Sequence, residues 1–315
     1  MAPSTASAAP IEFAIATGMP ENHAFNVGAR EFQRVVQERT NGGIVVEMFV
    51  GGQLGGDMVM LQAVQDGTLA MTWTATPSLA SFVPELAVFD IPFFFPTIED
   101  AQRAVANEEF VAVLEAKFLE ADFKLGGLPT PGYRVLSANK PIRTLEDLRG
   151  IKLRTMENPF HVNFWSALGV TPTPLSSTER FAALQQGTVD GQENVVENAF
   201  ATRMHEVQSH FIHSRHIAYV SAITLSAKFY DELPDEYKRI IDEELPKLAD
   251  HFQRIAMENE VDMLKEMVAT RNVDIYELPA EEMERWREVT AGTEQLIRDD
   301  IGDEIVDLLH RAVGR

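Results

Sequence analysis

The apolar residues of this chain follow two alternating periods, and this alternation constrains the fold more than any other feature. Strands are predicted at 11–16, 44–50, 69–73, 134–137, 152–155, 188–191 and 273–276, and helices at 26–40, 58–65, 159–168 and 177–186. Strands that alternate with helices at this interval are typical of mostly parallel sheets with crossover helices. The sequence therefore predicts an α/β fold.

A short pattern occurs twice along the chain. LQAVQDGTLAM at 61–71 and FAALQQGTVDG at 181–191 both consist of a helix, then Gln-x-Gly-Thr, then a strand. Glycine commonly follows a helix, so ordinary turn chemistry is an alternative explanation. The two copies lie at a similar depth in each half of the chain, which favours two lobes of like construction.

A long helical stripe begins at Asp235 and continues for more than thirty residues. Pro246 lies inside it and is expected to kink or restart the helix. A helix of this length exceeds one small domain and is long enough to brace both lobes. Further helices are expected from Pro279 and over 304–313.

Composition excludes several classes of partner and site. The 315 residues include 48 acidic and 27 basic ones, so the net charge of −21 argues against binding to nucleic acid or to an anionic membrane surface. The chain has no cysteine, which excludes disulfides and thiolate metal sites. No apolar run approaches the length of a membrane-spanning helix, so no membrane insertion is expected. The small, uncharged residues 1–10 suggest the disordered tail of an exported protein with a replacement initiator Met, or else a cytoplasmic start.

Two segments are predicted to carry polar side chains at the carboxyl ends of strands, where open α/β sheets bind ligands. Arg154 ends GIKLRT (150–155) with its side chain off the main apolar face, and its planar donors match a carboxylate; a surface ion pair is the alternative. QQGTVDGQEN (185–194) is expected to leave its strand at Val189 and to present Asn194, unless Asp190 only caps a turn.

Other candidate motifs carry no chemistry. His205, His210, His213 and His216 lie close in sequence but match no zinc signature, so no metal is predicted. GGQLGG (51–56) lacks the lysine and hydroxyl residue of a phosphate loop and is interpreted as a turn. No nucleophile elbow, zinc-protease helix or kinase motif is present, so no catalytic residue and no cofactor is predicted.

Several segments together resemble the extracytoplasmic solute-binding proteins of TRAP transporters, the DctP type, over nearly the whole chain. The segments are GGQLGGDMVMLQAVQDGTLAM, FDIPFFF, PGYRVLSANKPIRTLEDLRGIKLRT, ALGVTPTPL and AALQQGTVDGQEN. The resemblance implies a periplasmic binding protein-like fold: two α/β lobes around a hinged ligand cleft, with a long helix spanning both. Residues 11–131 and 219–259 are assigned to lobe I, and residues 132–218 and 260–315 to lobe II.

The resemblance also implies a function and a set of site residues. A periplasmic receptor would capture an organic acid anion by lobe closure and deliver it to TRAP membrane subunits. Arg154 falls on the family arginine that grips the ligand carboxylate, and Arg134 falls on a second cleft arginine. Asn194 matches the asparagine that holds the same carboxylate, and Trp73 matches an aromatic cleft position.

Departures from the family pattern bear on the ligand. Val195 replaces a common proline, and Ala16, Ala75, Glu157 and Ser177 differ from the sialic-acid-binding members, which argues against sialic acid. Glu157 is expected to accept hydrogen bonds from ligand hydroxyls and to repel a second carboxylate, unless it faces solvent. A sugar acid or other hydroxylated carboxylate is therefore favoured over a four-carbon dicarboxylate. Tyr219 and His23 are expected in the cleft wall. A two-lobed α/β enzyme or metal-dependent protein is the remaining alternative.

Overall fold

The computed structural model describes residues 9–315, so most of the predicted tail at 1–10 lies outside the described residues. Thirteen strands occur in the described part of the chain: β1 (Ile11–Ala16), β2 (Ile44–Phe49), β3 (Met71–Ala75), β4 (Phe123–Gly127), β5 (Gly132–Tyr133), β6 (Val135–Ala138), β7 (Lys152–Thr155), β8 (Thr171–Pro174), β9 (Gly191–Asn194), β10 (His210–His213), β11 (Ala218–Tyr219), β12 (Ser221–Ser226) and β13 (Asp274–Glu277). The same residues form thirteen α-helices: α1 (Ala24–Arg39), α2 (Asp57–Asp66), α3 (Thr76–Leu79), α4 (Ile98–Val105), α5 (Glu108–Glu120), α6 (Pro159–Ala167), α7 (Arg180–Gln185), α8 (Val196–Ala201), α9 (Ala227–Asp231), α10 (Asp235–Arg271), α11 (Ala280–Thr290), α12 (Thr293–Ile301) and α13 (Asp303–Ala312).

The strands form two main sheets, and each sheet is the centre of one lobe. The first sheet has the order β2-β1-β3-β12-β4, and the second has the order β13-β10-β6-β9-β7-β8. A two-stranded ribbon of β5 and β11 carries the chain between them. The predicted α/β fold with two lobes is confirmed.

Both sheets are mixed, whereas the sequence predicts mostly parallel pairing. β1 is parallel to β2 and β3, but β12 is antiparallel to β3 and β4. The second sheet repeats this arrangement, because β6 is antiparallel to both β9 and β10. These antiparallel strands arise because the chain crosses between the lobes. β12 and β6 each begin at the ribbon, beside the ends of β3 and β9, and therefore run back along the sheet.

The strand in the segment QQGTVDGQEN begins further along the chain than the sequence predicts. It spans Gly191–Asn194 rather than 188–191, because Asp190 belongs to the preceding turn and its carboxylate accepts a hydrogen bond from the Lys152 backbone N–H at 2.8 Å. Gly191 suits the centre of the sheet, since a Cβ there would lie 2.4 Å from the Ser137 carbonyl oxygen. Asn194 therefore ends a fully buried strand instead of extending from one.

The long helix α10 is continuous over 37 residues and includes Pro246. At 1.5 Å per residue it is about 55 Å long. It packs on α1 and β4 in the first lobe and on α8 and β13 in the second, so the prediction of a helix that spans both lobes is confirmed. No helix among residues 9–315 is both long and apolar enough to cross a membrane.

The sequence assigns residues 260–315 to the second lobe, and β13 and α11 do lie there, with Trp286 buried in its core. The last two helices differ, because they pack largely on the first lobe, although α12 also contacts α6 of the second. α13 packs against α5 and α4, and α12 packs against the 3-10 helix Pro84–Asp90. Ile297 and Leu309 are fully buried in the same apolar core as Phe110. The periodicity of this segment shows which side chains are apolar, but not which of two lobes they cover.

Candidate functional site

A small cavity lies between the two lobes. It is narrow and partly open to solvent, with an empty volume of about 360 Å³. Its lining comes from both lobes: Gly18, Met19, Asp57, Trp73, Thr74, Ala75, Arg134, Arg154, Met156, Ser177, Arg180, Asn194, Asn198 and Tyr219. The Ser177 hydroxyl of the second lobe donates to Asp57 Oδ1 of the first lobe at 2.9 Å, so the lobes meet beside the cavity in a closed arrangement.

Arg154 lies at the carboxyl end of β7 and is 2% exposed. Its Nε and Nη2 atoms donate to the Leu175 carbonyl oxygen at 2.9 and 2.6 Å, which fixes the plane of the guanidinium. No carboxylate lies within 4 Å of it among the described residues. Burial, together with the nearby charge of Arg134, lowers the pKa of Arg154 to about 10, so the group remains charged at neutral pH.

Arg134 is buried against Glu193 of the neighbouring strand β9. Its Nε atom contacts Glu193 Oε2, and its Nη2 atom donates to Glu193 Oε1 at 2.8 Å and to the Glu193 carbonyl oxygen at 3.1 Å. Burial opposes both charges, but the ion pair outweighs it: the pKa of Glu193 lies well below its usual value and that of Arg134 is raised. Arg134 therefore brings a guanidinium whose charge is already compensated.

Asn194 is oriented by a chain of hydrogen bonds that begins in the first lobe. The Asn198 amide donates to Asn194 Oδ1 and to the Tyr219 hydroxyl, both at 3.0 Å. Asn198 Oδ1 lies 2.8 Å from His23 Nε2. Because Asn194 Oδ1 also accepts from the Val195 backbone N–H, its Nδ2 group is left as the donor for a ligand.

Trp73 forms the aromatic wall of the cavity and is 2% exposed. Its indole N–H donates to the Ser221 hydroxyl at 3.0 Å, and its ring stacks on Phe25 at 5.1 Å. His23 lies behind Trp73 at a ring distance of 5.0 Å and is not part of the lining. Burial lowers the pKa of His23 to about 4, so it is neutral and supports Asn198 from behind. Tyr219 is buried and lines the cavity, as expected of a wall residue.

Glu157 lies outside the cavity. Its side chain is exposed and the cavity lining does not include it, whereas its neighbour Met156 does contribute. The backbone turns between β7 and α6 at this point, with Asn158 capping α6 through its side chain. The role that the sequence assigns to Glu157 thus has no support from the closed arrangement of the lobes.

Two charged residues of the lining are absent from the sequence-based set of site residues. Arg180 begins α7 and is 1% exposed, and Asp57 begins α2 and is 8% exposed. The only feature of the sequence that could indicate a role for Arg180 is its positive charge at the start of an otherwise apolar helix face. Asp57 directly follows the GGQLGG turn, which is a turn in the structure as well.

A buried polar network behind the cavity joins the two lobes. His161 of the second lobe lies 3.0 Å from Asp90 Oδ1 of the first lobe and 3.7 Å from Glu193 Oε1. Burial alone would lower the pKa of His161, but the two carboxylates outweigh it and raise the pKa to about 9. His161 is therefore charged at neutral pH, and the network of Asp90, His161, Glu193 and Arg134 contains two negative and two positive groups.

The four histidines singled out in the sequence do not converge. His216 is buried 3.5 Å from Glu193, and His205 stacks on Phe200. His210 and His213 lie at the two ends of β10, with His210 4.0 Å from Asp274. Among residues 9–315, no group of three or more histidine, aspartate or glutamate side chains is arranged to hold a metal ion.

Comparison with known proteins identifies a family that matches most of the chain. The sequence pattern of the bacterial extracellular solute-binding proteins, family 7 (DctP), matches residues 15–295. The C4-dicarboxylate-binding periplasmic protein DctP of Rhodobacter capsulatus is 31% identical over 288 residues, which cover 89% of this chain and 84% of that protein.

Solved structures of similar proteins share the fold over nearly the full length. A sugar acid binding protein from Advenella mimigardefordensis, in complex with galactonate, is 27% identical with a TM-score of 0.92 and covers 96% of this chain and 98% of its own. A TRAP periplasmic solute binding protein from Sulfurospirillum deleyianum with bound succinate is 26% identical with a TM-score of 0.90, and covers 97% and 100%. Both matches extend over at least 96% of this chain, so the shared fold includes both of its lobes.

Proposed function

The chain belongs to the bacterial extracellular solute-binding proteins of family 7, and from this premise we propose how its cavity captures a ligand. The resemblance to TRAP solute-binding proteins predicted from the sequence is confirmed. The protein is a periplasmic receptor that binds a small organic acid and delivers it to TRAP membrane subunits. Its family consists of binding receptors rather than enzymes, and we propose that this chain catalyses no reaction.

The observation that carries the proposal is the set of donors around Arg154. Arg154 is a buried guanidinium without a carboxylate partner among the described residues, and Arg134 and the Asn194 amide line the same cavity. A ligand carboxylate offers two oxygens that match the planar donors of arginine. We assign Arg154 as the main carboxylate ligand, with Arg134 and Asn194 as its helpers, Trp73 and Tyr219 as the wall, and His23 as a support for Asn198.

Lobe closure supplies the binding strength. Closing removes water from Arg154 and from the ligand carboxylate, and charges attract more strongly in the lower local dielectric. The hydrogen bond between Ser177 and Asp57 and the buried pair of His161 and Asp90 connect the two lobes in this closed arrangement. This is the hinge closure by which periplasmic binding proteins enclose their ligands.

A hydroxylated carboxylate is the favoured ligand class. The galactonate complex of the Advenella protein has nearly the same fold, and donors and acceptors of both kinds line the cavity of this chain. A four-carbon dicarboxylate is the second candidate, because the Rhodobacter relative is named for that ligand and the Sulfurospirillum protein holds succinate.

Thermal unfolding with and without ligand tests the proposal. A ligand that binds only the folded protein raises the unfolding midpoint, so we expect a shift with one family among uronates, aldonates, dicarboxylates, keto acids, aromatic acids and sialic acid. Arg154→Lys should weaken binding about 10- to 100-fold, because an ammonium cannot replace the bidentate guanidinium. The control is Arg34→Lys, at an exposed arginine on α1. Near-wild-type affinity in Arg154→Lys would refute the carboxylate clamp.

A further inference from the structure

Arg180 is a buried cation that the assigned carboxylate clamp does not use. Its Nη2 atom donates to the Thr202 hydroxyl at 2.9 Å, while its Nε and Nη1 atoms are buried and have no hydrogen-bond partner among residues 9–315. No carboxylate lies within 4 Å of it in the same part of the chain. A guanidinium buried in this way is costly unless an anionic or polar group reaches it.

Arg180 is part of the wall of the cavity. It contributes to the lining together with Arg154 and Arg134. Burial lowers the pKa of Arg180 to about 9, and the positive charges of Arg154 and Arg134, which line the same cavity, contribute in the same direction. Arg134 is paired with Glu193, whereas Arg154 and Arg180 share the cavity with a single acidic side chain, Asp57, so a further negative charge in the cavity would reduce their mutual repulsion.

The charges of the closed site can be counted. The network of Arg134, Glu193, His161 and Asp90 has two positive and two negative groups and is neutral. Arg154 and Arg180 add two positive charges. Asp57 adds one negative charge, since both of its oxygens accept hydrogen bonds from serine hydroxyls, Ser177 at 2.9 Å and Ser78 at 3.1 Å. Among the groups that line the cavity, one positive charge is therefore left without compensation. The buried Glu197 lies behind the cavity, 4.0 Å from His23, and is not part of the lining.

Asp57 also constrains the remainder of the ligand. A carboxylate has about four lone-pair positions, and two of them at Asp57 face serine hydroxyls, so it can accept further hydrogen bonds from a ligand in the cavity. The same negative charge repels a second ligand carboxylate. Asp57 therefore has, inside the cavity, the property that the sequence assigned to the exposed Glu157.

We propose that Arg180 is a third ligand-binding arginine, and that Arg180 and Asp57 together select a singly charged, hydroxylated acid over a dicarboxylate. This inference rests on the proposed function. The single carboxylate of the ligand balances the excess charge of Arg154 and Arg180, and its hydroxyl groups donate to Asp57.

Titration calorimetry with matched acids tests the selection. The acids are erythronate and galactonate as hydroxylated monoacids, tartrate and galactarate as diacids of the same chain lengths, and butyrate and hexanoate as monoacids without hydroxyl groups. For at least one chain length, wild-type protein should bind the hydroxylated monoacid at least 10-fold more tightly than both matched acids. In Asp57→Asn, the ratio of the affinity for the hydroxylated monoacid to the affinity for the matched diacid should fall at least threefold. Tighter binding of the diacid by wild-type protein would overturn the charge count.

Arg180→Met separates a ligand-binding role from a structural one. Methionine fills similar space without charge, so we expect the ligand-free protein to unfold at a higher temperature while its affinity for the hydroxylated monoacid falls 10- to 100-fold. Affinity within twofold of wild type would refute a binding role, and a lower ligand-free midpoint would show that Arg180 stabilises the fold. If no acid binds wild-type protein, the proposed function itself fails; if acids bind and Arg180→Met leaves affinity unchanged, only this inference fails.

Discussion

His161 illustrates at the scale of one residue how this fold keeps charges in its interior. It is fully buried, and it lies between Asp90 of the first lobe and Glu193 of the second. An isolated buried imidazolium would lose its proton, but two carboxylates on opposite sides favour the charged form. The ligand cavity is therefore backed by ionised groups that compensate one another.

The raised pKa of His161 predicts a pH dependence of stability. The folded-state pKa of about 9 exceeds the ordinary value of 6.5, so its contribution is fully present below pH 6.5 and is lost as pH rises through 9. The loss is on the order of 3 kcal/mol for a shift of this size. We expect the difference in unfolding free energy between wild type and His161→Gln to shrink from pH 6.5 to 9.5.

His251→Gln is the control for this experiment. The pKa of His251 is lowered by burial, so its contribution should not change between pH 6.5 and 9.5. If the difference between wild type and His161→Gln also stays constant over that range, His161 is neutral in the folded protein and the ionised network does not exist.

The sequence predicts part of the site at this scale. The family resemblance predicts Arg154, Arg134, Asn194 and Trp73 in the cleft, and Tyr219 was expected in its wall. All five line the cavity. The distant residues Arg180 and Asp57 were not predicted, because a cation at the start of a helix and an acid after a glycine turn are ordinary surface features until folding brings them together. Glu157 is exposed, which is the alternative that the sequence left open, because its nearness to Arg154 along the chain says nothing about the direction of its side chain.

At the scale of secondary structure, α10 departs most from what its sequence predicts. Pro246 lies in its interior and is exposed, yet the helix continues through it. Proline has no N–H to donate to the carbonyl of Asp242 and costs about 3 kcal/mol in a helix interior. The buried residues Leu245 and Leu248 on either side hold the helix against the first lobe, so tertiary packing offsets this local cost.

Pro246→Ala should stabilise the protein. The substitution restores one helical hydrogen bond, which stabilises the folded protein. It also makes the unfolded chain more flexible, which offsets part of this effect, so we expect a gain of about 1–2 kcal/mol in unfolding free energy. Urea denaturation measures the change, with Asp250→Ala at an exposed position of the same helix as control. A loss of stability instead would show that a bend at Pro246 fits α10 to both lobes.

Element types were more predictable than their pairing. Helix α6 and strand β7 lie within a residue of their predicted bounds, because local periodicity determines them. The antiparallel strands β6 and β12 and the position of α13 were not predictable in this way. They depend on where the chain crosses between lobes, and residues far apart in sequence determine that crossing.

For the whole molecule, closure depends on the close approach of two loops from different lobes. A Cβ on Gly52 of the first lobe would lie 2.5 Å from Thr178 Cγ2 of the second, whereas a Cβ on Gly51 would meet no atom within 4 Å. Both glycines have positive φ, 75° and 66°, so alanine at either position carries a similar backbone strain of about 1–2 kcal/mol. Comparing the alanine variants at these two positions therefore separates the effect of backbone strain from the effect of a steric clash between the lobes.

We expect Gly52→Ala to weaken ligand binding at least 10-fold, and Gly51→Ala to change affinity less than threefold. Both should lower the ligand-free unfolding midpoint by a similar amount. Calorimetry gives the affinities, and small-angle X-ray scattering with saturating ligand shows whether the lobes close. Thr178→Ser removes the obstructing methyl group and should restore affinity in the Gly52→Ala background. Equal affinities for the two alanine variants would mean that these loops do not meet in the bound protein.

The interleaving of the two lobes along the chain determines when either can fold. Within the part of the chain that the structure describes, β4 pairs only with β12, which lies almost one hundred residues later, and the first core is covered by α12 and α13 near the end of the chain. A growing polypeptide cannot complete its first lobe until nearly all of it has been synthesised, and contacts of such long range form slowly. The first lobe therefore remains incomplete during most of synthesis, which suits a protein that must thread through a narrow channel before it acquires its shape.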